Sequence, residues 1–149
     1  MSHMRNLKYI LPGRDKNYEG TTFSLYLFIG TCLVTTARSL IHIFASDGGA
    51  NSIAGIDIDV EGGTNLITIF ALWGLEQLII SIISWIVIFK YRSLVPLMIL
   101  FQLFDWLARI PIGLMKPMII DSIPPGAVGG FIFPPLLLII LWFSLPRKD

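Results

Sequence analysis

Residues 65–89 read NLITIFALWGLEQLIISIISWIVIF, an apolar run interrupted by one ionisable side chain, Glu76, and closed by Lys90-Tyr91-Arg92. As an α-helix rising about 1.5 Å per residue, such a run is long enough to cross the roughly 30 Å of hydrocarbon in a bilayer. Three further segments of the same kind, at roughly 21–45, 94–115 and 127–145, leave no soluble reading that accounts for all four. Composition agrees: 54% of the 149 residues are hydrophobic, 14% are charged, and the mean hydropathy is +0.75. A soluble domain of this size is much more polar. The expected fold is therefore an all-α integral membrane protein, with residues 1–149 forming a single four-helix transmembrane bundle.

The charges flanking the segments predict an orientation. The stretch 5–20 carries Arg5, Lys8, Arg14 and Lys16, the second turn carries Lys90 and Arg92, and the tail carries Arg147 and Lys148. All three fall on one side, which the positive-inside rule assigns to the cytoplasm together with both termini. Opposite them lies the loop 46–64, with Asp47, Asp57, Asp59 and Glu61 and no Lys or Arg. Lys116 is the one basic residue at that end. The expected location is multi-pass in the cell (inner or plasma) membrane. Met1-Ser2-His3-Met4 reads as a cloning scar, and Tyr9-Ile10-Leu11 as a short patch able to rest on the membrane surface. The length of the first apolar run and its internal Arg38 and His42 argue against a cleaved signal peptide.

Five ionisable side chains lie within the spans: Arg38 and His42 in the first, Glu76 in the second, Asp105 and Arg109 in the third. A charge at the centre of a lone helix costs about 2.5–3.5 kcal/mol, so partners are required. Counted from the cytoplasmic end of each span, Arg38 lies about 17 residues in, Glu76 about 14, Asp105 about 12 and Arg109 about 16, a common depth of roughly 18–26 Å. Thr31, Thr35, Arg38 and His42 follow the three-four spacing of one helix face, as do Gln102, Asp105 and Arg109. Asp105 and Arg109 are also an i, i+4 pair in the favourable acid-first order. Arg38 with Glu76 is the expected second pair. Arg38, His42, Glu76, Gln102, Asp105 and Arg109 are thus the candidate ligand-binding residues of a polar pocket in the outer half of the bundle.

Prolines fall at the same level. Pro134-Pro135 predicts a bend in the fourth helix and frees the carbonyls of Gly130 and Phe131; Pro111 does the same for Leu107. Such carbonyls need protein or a polar cavity to satisfy them. In the outer loop, Ile56-Asp57-Ile58-Asp59-Val60-Glu61 alternates, suiting an extended segment whose carboxylates either are solvated or face a hard cation. Gly48-Gly49 and Gly62-Gly63 bracket this loop as hinges of an expected lid. Gly126 and Gly130 have the small-xxx-small spacing through which homo-oligomers associate, and the four tryptophans read as packing residues.

The function classes narrow accordingly. A net charge of +1 without a basic stripe excludes a nucleic-acid footprint. One cysteine and one histidine beyond the scar argue against a metal or haem site, and no cofactor motif is present. The charged layer fits a pocket for a small or lipid-like ligand, with membrane lipids as partners. It also fits a packing network in a non-enzymatic scaffold or subunit, an oligomeric channel or ion pathway, and, least directly, acid–base catalysis using Glu76 or Asp105 with His42 and Arg109. In topology alone, the basic start, acidic loop and third-helix arginine resemble small four-helix bacterial membrane proteins.

Overall fold

A computed structural model describes residues 17–119 and 123–147. The expected surface patch at residues 9–11 and the scar lie outside them. The described chain is all-helical: α1 (Thr22–Phe44), α2 (Gly63–Lys90), α3 (Val95–Met115) and α4 (Pro125–Ser144), with a single 3-10 turn at Arg92–Leu94 between α2 and α3. All four helices are long and apolar enough to cross a membrane, making this a multi-pass membrane protein.

Local chemistry sets the helix ends. Thr21 caps α1, its hydroxyl accepting from the Ser24 amide at 3.3 Å. Gly62 precedes α2 at φ +83°, a backbone conformation that disfavours any side chain. At the other end of α2, Arg92 Nε donates to the Ile88 carbonyl at 2.9 Å, placing a cation at the negative pole of the helix. Pro96 opens α3 and Pro125 opens α4, where a missing amide costs nothing. Pro134 and Pro135 lie within α4, which continues as helix through both, and Pro111 lies within α3.

The Thr21 amide donates to the Phe143 carbonyl at 2.9 Å, so the start of α1 and the end of α4 share one end of the bundle. We call this the core end and the opposite one the acidic-loop end. α1 packs most extensively on α2 and α3 on α4, with α4 closing against α1, while α2 and α3 touch each other little despite their short connection. Phe28, Cys32, Val95, Ile99, Leu137 and Ile140 form a fully enclosed apolar core, drawn from the parts of the helices nearest the core end. The bundle is otherwise lined by small hydroxyls that bond to their own helix, Ser39 to Thr35 O at 2.7 Å and Ser84 to Ile80 O at 2.9 Å. Large apolar side chains such as Phe131, Leu114 and Phe104 point outward. Without a hydrophobic drive between helices in lipid, small residues that permit close approach hold such bundles together. Gly74 does this on α2, since a Cβ there would sit 2.6 Å from His42 Cβ and 3.0 Å from Ser39 O.

The acidic loop is folded. Asp47 accepts from the amides of Gly49 (2.9 Å) and Ser52 (2.7 Å) across a turn in which Gly48 and Gly49 have φ of +62° and +76°. These two glycines are therefore fixed turn positions instead of a hinge. Residues 56–61 form no strand. Asp57 accepts from the Asp59 amide at 2.9 Å, and the three carboxylates of this segment are exposed. Among the described residues no group of three His, Cys, Asp or Glu side chains is placed to hold a metal ion.

Candidate functional site

The four helices part towards the acidic-loop end around a cavity of about 230 Å³. Its polar wall includes Arg38, Gln77, Ser81, Gln102 and Asp105, and its apolar wall includes Val34, Ile80, Phe101 and Phe133. Pro125 and Gly126 line it from the start of α4. None of residues 46–62 lines it, so the acidic loop, which packs on His42 and Phe70 above α1 and α2, is not its lid. Gly130 and Phe131 are likewise not among the residues that line the cavity.

Two arginines and two tryptophans organise the site. Arg38 Cζ lies 5.2 Å from the ring centre of Trp73 and 5.7 Å from that of Trp106; Arg109 Cζ lies 5.3 and 4.8 Å from the same two rings. Such contacts contribute about 0.5–1 kcal/mol each at exposed sites and about 2 kcal/mol where water is excluded. Trp106 is itself stacked on Phe133, centres 4.5 Å apart, and a Cβ at Gly129 would sit 2.7 Å from the Trp106 ring. Gly129 is thus the glycine that lets α4 approach α3, whereas Gly126 and Gly130 face open space.

Hydrogen bonds then fix the heads. Arg109 donates to Asp105 Oδ2 through Nε at 3.2 Å and Nη2 at 2.6 Å, the i, i+4 pair the spacing predicts. Arg38 does not pair with Glu76. It donates through Nε at 3.2 Å and Nη2 at 2.7 Å to Gln77 Oε1. Adjacent residues on a helix point about 100° apart, and Gln77, not Glu76, shares the buried stripe of Gly74, Ser81 and Ser84. Glu76 is exposed and makes no hydrogen bond or ion pair with a described residue. His42 is buried but stands apart: its Nδ1 donates to the Gly48 carbonyl at 2.7 Å, and its ring lies against Trp73 and Phe70. It anchors the loop, and no contact joins it to Glu76 or Asp105 as an acid–base pair. Gln102 lines the cavity, accepting from Thr31 Oγ1 at 2.9 Å.

Of the six candidate residues, Arg38, Gln102 and Asp105 line the cavity, Arg109 braces it, and Glu76 and His42 do not enter it. Gln77, Trp73 and Trp106 are the contributors that ionisable residues alone do not reveal. The three-four run of Gly74, Gln77, Ser81 and Ser84, small or polar throughout, is the sequence signal that marks the inner face of α2. No family model, curated protein or solved structure matches the chain, so the site is read from its geometry.

Proposed function

We propose that this membrane protein binds a lipid-like amphiphile in the cavity at the acidic-loop end, entered sideways between α2 and α3. The observation that carries this reading is the mixed lining: a charged and amide-rich wall faces Ile80, Phe101 and Phe133 across a space of about 230 Å³, within segments long enough to be embedded in a bilayer. Binding sites combine an apolar majority with a few convergent polar groups in this way, and intramembrane ionisable residues are costly enough to mark them. The sparse contact between α2 and α3, with Asp105 exposed at 57%, supplies the lateral route. The basic flanks at Lys90, Arg92 and Arg147 against the acidic loop favour placing the cavity in the outer leaflet of the cell membrane, with both termini in the cytoplasm.

Native mass spectrometry of the protein released from a neutral detergent tests the proposal. We expect one retained amphiphile on the wild type and none on Ile80→Trp, which fills the cavity from a rim position 48% exposed. Equal occupancy of both chains, or none on either, would overturn the assignment. The same spectrum reports the subunit count. The open position at Gly130 favours self-association through α4 as a second reading, expected as a dimer that Gly130→Leu converts to monomer.

A further inference from the structure

The cavity is short of negative charge. Arg109 has its carboxylate, but Arg38 is held only by a neutral amide and two indole faces, so the pair of guanidiniums faces one carboxylate. Among the described residues Arg109–Asp105 is the only ion pair. A guanidinium can only donate, so Gln77 must turn Oε1 towards Arg38, which commits Nε2 to the other side. That Nε2 is enclosed and has no partner, in a residue 7% exposed that lines the cavity. Flipping the amide would not help, because it would set two donors against each other. Gln102 Nε2 has only the Cys32 sulfur, at 3.9 Å. An unpaired cation beside an unsatisfied donor in a low-dielectric layer is destabilising, and an acceptor-rich anion in the space relieves it.

Resting on the ligand-binding reading above, we infer that the occupant carries an anionic oxyacid head group, a phosphate or carboxylate, seated against Arg38, with its hydrocarbon tail outside in the cleft between α2 and α3. Size supports the division. A cavity of about 230 Å³ corresponds to roughly seven or eight water volumes of about 30 Å³, enough for a head group and its first carbons but not for an acyl chain. Ile80 and Ile83 on α2, and Phe101 and Phe104 on α3, are between 46% and 70% exposed and offer the tail an apolar track. The charge state follows from the same count: one negative charge neutralises the cluster.

Isothermal titration in dodecyl maltoside, with dodecyl phosphate, the uncharged 1-O-dodecylglycerol and inorganic phosphate as probes, tests this. We expect dodecyl phosphate to bind about ten- to a hundredfold more tightly than the uncharged amphiphile, the effect of a charge-assisted hydrogen-bonded pair. Arg38→Gln should erase that preference, and Arg38→Lys should keep most of it. Inorganic phosphate is expected to bind far more weakly than dodecyl phosphate. Equal affinity of the two phosphates would uphold the anion site but overturn the lipid-like source. Equal affinity of the two amphiphiles, unaltered in Arg38→Gln, would leave an amphiphile pocket and overturn the anionic head group. A preference that appears only in Glu76→Gln would make Glu76 the counter-ion of Arg38 and overturn it as well. No binding of any probe would sink both readings.

Discussion

Near the end where α1 begins and α4 finishes, Phe28, Ile99, Leu137 and Ile140 fill the space between the helices and are fully enclosed. Towards the acidic-loop end the same four helices part around about 230 Å³ bounded by one arginine, two amides and one carboxylate. The difference lies in what each set of residues can satisfy by itself. The core is complete without a partner, because apolar side chains need only contact. The cavity is incomplete, because Arg38 lacks a counter-ion and Gln77 an acceptor. Stability should therefore concentrate in one half and binding in the other.

Substitutions in the two halves should separate these contributions. The largest loss is expected from Phe28→Ala in the core, about 3–5 kcal/mol of unfolding free energy in detergent, since the side chain is 0% exposed and its removal leaves a void. A loss under about 1 kcal/mol would show that the core half is not the stabilising one. Gly74→Val, at the α1–α2 contact, should cost about 1–3 kcal/mol by pushing into His42 and Ser39, read by the same unfolding curve. Gly126→Ala, on the cavity wall with nothing within 4 Å of the added methyl, should change stability by less than about 0.5 kcal/mol. The smallest effect concerns the loop. The amides of Ser52 and Gly49 hold the Asp47 carboxyl at about 2, below the ordinary value of about 3.9. The turn's stabilisation is fully present above pH of about 4 and fades as pH falls through about 2. The Gly49 and Ser52 amide shifts followed by NMR should therefore titrate with a midpoint near 2; a midpoint near 4 would mean the carboxylate does not hold the turn.

How much of this was legible depended on which physical constraint each residue answers to. The four spans were readable because bilayer thickness imposes length, and the helices occupy the four apolar segments. Arg38, Gln102 and Asp105 were readable because each lies on a polar stripe at helical spacing. Glu76 was misplaced because ionisability, instead of the face defined by Gly74, Ser81 and Ser84, was used to choose between two neighbours. The role of His42 depends on the Gly48 carbonyl, delivered by a folded loop that no periodicity encodes. The tryptophans were read as packing groups. Trp73 and Trp106 do pack, but on guanidiniums, a pairing that requires three helices to be placed first.

The central claim is that the layer around Arg38 is a binding site and not a brace for the bundle. Thermal unfolding of wild type and Arg38→Gln, each with and without dodecyl phosphate, tests it most directly. Without the amphiphile the variant is expected within about 1 kcal/mol of wild type or more stable, because an unpaired cation has been removed. Wild type alone is expected to gain stability on addition, by about 2.7 kcal/mol at a hundredfold excess over Kd. A variant that loses about 3–5 kcal/mol without ligand, as when a buried structural pair is broken, with no gain for either chain, would contradict it.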